Sequence, residues 1–350
     1  MQKFFRVKSL VTSALAALAA VTSFGAAPAL AQDKVLNLYS ARHYNTDEAL
    51  YSNFTKATGI KINRIDGGED ALLTRIKAEG ANSPADVFLT VDAGRLWVAD
   101  QEGVFAPVDS KILNERIPAA YRLASNTWFG FSTRARVILV DTAKIKAGEI
   151  STYEDLADPK WRGQICTRSG SHVYMLSLLS SIIENDGAAK AEEWAKGVNA
   201  NLARQPKGGD TDQIKAAAAG ECAIALSNTY YIARMLKSDK AEDRATMDKL
   251  RVVWPNTNGR GVHMNVSGGG VLKNAPNKDN AVKFMEYLAS DDAQAYFANG
   301  NNEWPVVASA KVKNEALDSM GTFKADTLNM IALGKNQRQA QEIVNRVGYK

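Results

Sequence analysis

Long apolar runs are absent from this 350-residue chain after its N-terminal segment. No later stretch approaches the ~20 consecutive apolar residues of a membrane-spanning helix. Cysteine is scarce: Cys166 and Cys222 stand alone, without a C-x-x-C pair, so no zinc-ribbon or haem-attachment signature exists. Only three histidines occur, and neither H-E-x-x-H nor a G-x-S-x-G elbow is present. Those absences remove the zinc-metalloprotease and α/β-hydrolase readings. No Lys/Arg run and no basic stripe interleaved with aromatics is found, which argues against a nucleic-acid partner.

What is present begins with an address. MQKFFRVKSL carries Lys3, Arg6 and Lys8, an apolar stretch runs from Leu10 to about Val21, and Ala29-Leu30-Ala31 precedes Gln32. These are the charged, apolar and cleavage regions of a secretory signal peptide spanning 1–31, so the mature chain is expected to be periplasmic. The signal holds three of the 43 basic residues and none of the 38 acidic ones, leaving 40 against 38, a net charge of +2. The remaining chain is long for one core, and two lobes are expected. Export makes a disulfide permissible. Cys166 and Cys222 each sit in a strand-like segment (GQICTR and GECAIAL), where they could bridge neighbouring strands or remain two buried thiols.

Strand-like and helix-like segments alternate. VLNLYS, IKINRI and ADVFLTV read as strands, and Asn45 with Glu48 suggests a cap for a helix ending near Thr58. Such alternation predicts a mostly parallel sheet covered by helices. FGFSTRARVILVDT (129–142) is long, extended and rich in β-branched residues, and is read as a crossing between lobes. The pattern restarts with WRGQICTR, a helix from about Val173 to Ile183, and ECAIALSN. The Gly/Asn-rich stretch 254–280 reads as a return crossing. The expected architecture is α/β: two lobes, 32–132 with 256–306 and 133–255 with 307–350, joined by hinge strands around a cleft.

Ligands in open α/β folds bind at the carboxyl ends of strands. Three segments put unusual residues there: YSARHYNTDE with His43 and Tyr44, TRSGSHVYMLS with Tyr174, and SNTYYIAR with Tyr230 and Tyr231. Any one of these tyrosines alone is ordinary packing; packing gives no reason for all of them to follow strand ends. One imidazole and four phenols converging on a cleft would suit a small, highly charged cation, because phenolate oxygen is a hard anionic donor. Ferric iron fits best, since zinc sites draw on Cys, His and carboxylates and calcium on carboxylates and carbonyls. Free tyrosine titrates near pH ~10, so the phenols would ionise only beside the metal. Four phenolates and Fe3+ carry a net −1, and Arg134 and Arg234 are the candidates to balance it, against the bland alternative of surface salt bridges.

Across essentially the whole mature chain, the ordered segments LNLYSARHYNTDEALYSNF, ADVFLTVDAGRLW, STRARVILVD, ICTRSGSHVYMLSLL, GECAIALSNTYY, VSGGGVLKNAPNKDNAVKFMEYLASDDAQ and NNEWPVV carry a resemblance. The chain resembles the periplasmic ferric-iron-binding proteins that serve ABC-type iron importers, a branch of the type II periplasmic binding-protein fold. One subclass of that family uses a His-x-Glu arrangement with an exogenous anion; here Tyr44 directly follows His43, as in the tyrosine-rich subclass. The resemblance implies Fe3+ as cargo, with Fe2+ possible in some states. It implies Tyr44, Tyr174, Tyr230 and Tyr231 as ligands, His43 as a fifth or intermittent donor, and Arg134 and Arg234 as supporting partners. No exogenous anion is then required, although Arg168, Ser169 and Ser171 at a helix start could hold one through backbone N–H groups. The implied partner is an inner-membrane ABC-type permease, and the protein itself is expected to be a monomer and no enzyme.

Other motifs are read as structural. His172 could face the cleft but reads rather as a helix cap or a surface residue, His263 reads as structural, and the glycines of VSGGGVL as a close backbone approach. Asp66-Gly67-Gly68-Glu69-Asp70 reads as a turn into a helix. The rival functions are a binding protein for another solute, such as an anion or a thiamine-like ligand, and a secreted iron-dependent redox enzyme.

Overall fold

A computed structural model describes residues 34–350; the signal-peptide expectation for 1–31 lies outside the described residues. Among the described residues, nine strands build the sheet framework. They are β1 (Val35–Ser40), β2 (Lys61–Asp66), β3 (Val87–Thr90), β4 (Phe129–Asp141), β5 (Ile165–Cys166), β6 (Ile224–Asn228), β7 (Leu250–Val253), β8 (Met264–Val271) and β9 (Trp304–Pro305). Their order is β2-β1-β3-β8-β4-β6-β5, with β7 and β9 also pairing β4.

The pairing explains where the halves meet. Residues 129–135 of β4 run antiparallel to β8, and residues 136–140 run antiparallel to β6, with β7 along 138–141. One continuous strand thus belongs to both halves and changes partners between Ala135 and Arg136. The predicted crossing is this strand. The expectation of a mostly parallel sheet needs correction. β1–β2, β1–β3 and β5–β6 are parallel, as strand–helix–strand units require, but the crossings β4 and β8 run against them and make the sheet mixed.

Side-chain pattern matches position. β3 is buried along its length, whereas β2 at the edge exposes Lys61, Asn63 and Asp66, which discourages further pairing. β8 threads between β3 and β4, where a Cβ at Gly268 would overlap the Phe129 carbonyl oxygen and one at Gly269 the Leu89 side chain. The glycine run therefore permits a close backbone approach, as the sequence suggested.

A broad apolar core including Ala135, Val137, Leu139 and Val266 runs along the crossings, and two more flank them. One gathers Leu36, Phe54, Phe129 and Phe284; the other gathers Ile138, Trp161, Leu178 and Trp194. The helix after β1 is Asp47–Thr58, with Thr46 rather than Asn45 at its N-cap position and no side-chain capping bond there. Asp47 is drawn inward by Arg42 and Asn301, which fixes the start one residue later. The helix expected to end near Ile183 continues to Asp186 and stops at Gly187, φ +87°. Its last turn, Glu184-Asn185-Asp186, is polar and so lacks the apolar signal. Cys166 and Cys222 form a disulfide, with Cα atoms 6.0 Å apart. No helix among the described residues is long and apolar enough to cross a membrane.

Candidate metal centre

The loops that follow β1, β5 and β6 converge. His43 and Tyr44 leave the end of β1, Tyr174 is the second residue of helix Val173–Asp186 after β5, and Tyr230 and Tyr231 open helix Thr229–Leu236 directly after β6. Tyr44, Tyr174 and Tyr230 are buried with Val91 and Val173, and Tyr231 packs against them half-buried. The Tyr174 and Tyr230 hydroxyls are 3.0 Å apart, and His43 Nε2 lies 3.4 Å from the hydroxyls of both Tyr230 and Tyr231. His43 stacks on Tyr44 with ring centroids 4.8 Å apart, and Tyr230 meets Tyr44 at 5.3 Å and Tyr231 at 4.3 Å. All five sequence-predicted donors therefore share one cluster. Among the described residues, no three His, Cys, Asp or Glu side chains form a metal-ligating group elsewhere.

Cations ring the phenols. Arg134 is buried and donates through Nη1 to Ser267 Oγ at 3.3 Å, while its Nε and Nη2 have no hydrogen-bond partner. The guanidiniums of Arg134, Arg136 and Arg168 sit 5.8, 5.9 and 5.1 Å from the Tyr174 ring centroid. Arg234, exposed, lies 5.3 Å from the Tyr231 ring centroid and 6.0 Å from that of Tyr230. Burial works against the Arg134 charge, but Glu303 and the phenols of Tyr44, Tyr174 and Tyr230 outweigh it and raise its pKa.

The protonation state follows from the same geometry. Burial first, and then neighbouring acidic groups, push the phenols of Tyr44, Tyr174 and Tyr230 well above their ordinary range. Without a cation they are neutral phenols, and a bound cation supplies the field that ionises them. His43 reaches solvent at one edge, yet desolvation by the cleft walls and four nearby guanidiniums hold it down to about 4, so it is neutral and able to donate a lone pair. Clefts of about 220 and about 580 Å3 open on either side of His43 and Tyr44.

The candidate anion segment has other engagements. Ser169 Oγ accepts from Ser171 N, Ser171 Oγ accepts from Gln341, and the Gly170 N–H reaches the Lys350 carbonyl. His172 caps its helix by accepting from Tyr174 N at 3.2 Å, as the sequence suggested. An anion held by this backbone would have to displace those partners. His263 is buried beside the crossing strand, where its carbonyl accepts from Arg136 N and its backbone N–H donates to Tyr153 Oη.

Sequence reasoning missed Glu303. Its fully buried carboxylate accepts from Tyr44 Oη at 2.9 Å, Ser132 Oγ at 2.8 Å and Ser267 Oγ at 3.3 Å, with Arg42 Nη2 at 3.8 Å. The available signal was an acidic residue directly before the apolar run WPVV. Arg42, which holds Asp47 and approaches Glu303, and Asp210 were missed as well.

Two α/β halves, crossing strands between them, and donor side chains gathered where strand ends face one another are the build of a solute-binding protein. The chain belongs to the bacterial extracellular solute-binding proteins, whose family profile matches residues 82–325. It is similar to iron uptake protein A1 of Synechocystis sp., with 49% identity over 319 residues, 91% of this chain and 88% of that protein. Among solved structures it is similar to a Trichodesmium protein in complex with iron and citrate ligands: 54% identity, TM-score 0.85, 90% of this chain and 100% of that one. The ferric binding protein from Campylobacter jejuni matches with 40% identity and a TM-score of 0.87, again over 90% of this chain and 100% of that one. These neighbours share the two-lobed α/β fold.

Proposed function

We propose that this chain is a periplasmic ferric-iron-binding protein that captures Fe3+ between its lobes and delivers it to an ABC-type permease of the inner membrane. The observation that carries this reading is the convergence of four phenols and one neutral imidazole from three separate strand ends. The relatives named for iron uptake and ferric binding support the same cargo. In this reading Tyr44, Tyr174, Tyr230 and Tyr231 ligate as phenolates, and His43 is a fifth or intermittent donor. Arg134 and Arg234 offset the net negative charge of the loaded site, and the two partnerless guanidinium nitrogens of Arg134, Nε and Nη2, suit that duty. The lobes are 32–132 with 256–306 and 133–255 with 307–350. Hinge closure completes the coordination shell and presents the face that the permease reads. The protein acts as a monomer carrying a cargo, and it performs no catalysis. Release follows when a lobe opens or when the metal is reduced, because softer Fe2+ holds phenolate less well.

The test is a visible absorption titration of chelator-stripped mature protein with ferric iron. A phenolate-to-iron charge-transfer band rising to one equivalent is expected. A featureless titration on an intact fold would overturn the reading in favour of an organic or anionic solute.

A further inference from the structure

Asp210 opens helix Asp210–Ala218, is fully buried, and is remote in sequence from every candidate ligand. One carboxylate oxygen, Oδ2, accepts from the backbone N–H of Asn228 at 2.8 Å and from Arg136 Nη1 at 3.1 Å. Arg136 Nη1 also donates to Asn228 Oδ1 at 2.9 Å, which closes a small ring of three side chains. Asn228 is the residue at which β6 ends and the helix bearing Tyr230 and Tyr231 begins. The other oxygen, Oδ1, has no hydrogen bond and lies 3.6 Å from Arg168 Nη1. Arg168 belongs to the loop between β5 and the helix bearing Tyr174, and its guanidinium sits 5.1 Å from the Tyr174 ring centroid. A single carboxylate thus touches both loops that supply three of the four phenols.

We propose that Asp210 is a positioning residue for the metal centre, whose carboxylate fixes the loop carrying Tyr174 relative to the helix start carrying Tyr230 and Tyr231. The proposal rests on the ferric-iron reading above. A buried carboxylate with two hydrogen-bond donors and an ion-pair partner holds its neighbours rigidly, because leaving Arg136 or the Asn228 N–H without it strands a polar group away from water. Its charge alone would act in the opposite sense. Removing one negative charge beside Arg136 and Arg168 leaves more positive potential near Tyr174, which favours a phenolate. Position and charge therefore predict opposite effects of the same substitution.

The experiment compares wild type, Asp210→Asn and Arg168→Gln in ferric-iron titrations against a competing chelator, with the charge-transfer spectrum recorded at saturation and thermal unfolding measured without metal. Asp210→Asn keeps shape and one acceptor. Loss of a charge-assisted hydrogen bond is equivalent to about tenfold to a hundredfold in affinity. Weakening of that size, together with a shifted or diminished band at saturation, is expected. The core substitution Ile182→Val, which lowers stability away from the phenols, is expected to leave the band in place. Arg168→Gln, whose side chain is 17% exposed, tests the same link should Asp210→Asn fold poorly; weaker binding with a near wild-type unfolding midpoint is expected. Unchanged affinity and spectrum in a folded Asp210→Asn or Arg168→Gln protein would overturn the proposal, and so would tighter binding by Asp210→Asn. A wild-type titration without any band would overturn the iron reading itself, and this proposal with it.

Discussion

Replacing Tyr230 by phenylalanine separates packing from ligation more cleanly than any other change in the cluster. The ring is fully buried, and its contacts with Tyr44 and Tyr231 survive the substitution. Only the hydroxyl is lost, with its 3.0 Å contact to Tyr174 and its 3.4 Å contact to His43. A neutral hydrogen bond contributes about 1 kcal/mol net, and stranding the Tyr174 hydroxyl costs about 1–3 kcal/mol. The folding penalty is therefore no more than a few kcal/mol. Iron binding should suffer more. Removing one member of a buried, charge-paired set costs about 3–5 kcal/mol, which corresponds to about two to four powers of ten in affinity. Competitive titration of ferric iron against citrate, read by the charge-transfer band, gives the affinity, and chemical denaturation of the metal-free protein gives the stability. Near wild-type iron affinity alongside a clearly lowered unfolding midpoint would refute the reasoning and return the tyrosine pair to the core.

Three further outcomes are expected. His263 is buried, and burial followed by Arg136, Arg134 and Arg260 holds it down to about 3. The unfolded chain takes up this proton near pH ~6.5, so stability should fall as pH drops from 6.5 toward 3, by at most about 1.4 kcal/mol per pH unit from this residue; denaturation midpoints of His263→Gln should show a shallower slope. Reducing the Cys166–Cys222 bridge, which spans 56 positions, should remove up to about 4 kcal/mol of stability, and urea melts with and without reductant check this. Gly334→Ala would drive a Cβ into the Cβ of Trp97, where helix Ile331–Lys335 packs on helix Ala93–Gln101, and should cost about 1–3 kcal/mol in a thermal melt.

The convergence of the tyrosines was legible because Tyr44, Tyr230 and Tyr231 closely follow apolar strands and Tyr174 opens the apolar helix after the short β5, so strand-end topology brings them to one place. The crossing was legible for a related reason: Phe129–Asp141 is too long and too apolar to be an ordinary strand. Strand direction was not, because the antiparallel run of β8 against β3 and β4 depends on how the chain returns and leaves no local mark. Glu303 was hidden by distance, since its partner Tyr44 is 259 positions away and an isolated glutamate reads as surface. Asp210 was hidden by its helix start, where an acidic residue is expected for the backbone dipole alone. The disulfide stayed open in the sequence because two cysteines in two strand-like segments fit neighbouring strands and separate buried thiols equally well.

The place of β8 in the sheet has a consequence for the order of assembly. It lies between β3 and β4, yet the ribosome makes it more than a hundred residues after either neighbour. Until residues 264–271 are available, β3 and β4 have no strand between them and present unpaired edges. The N-terminal half cannot complete its sheet as it emerges, and its closure waits on a long-range pairing of the slow kind. A chain built this way keeps its N-terminal half open until it is nearly complete.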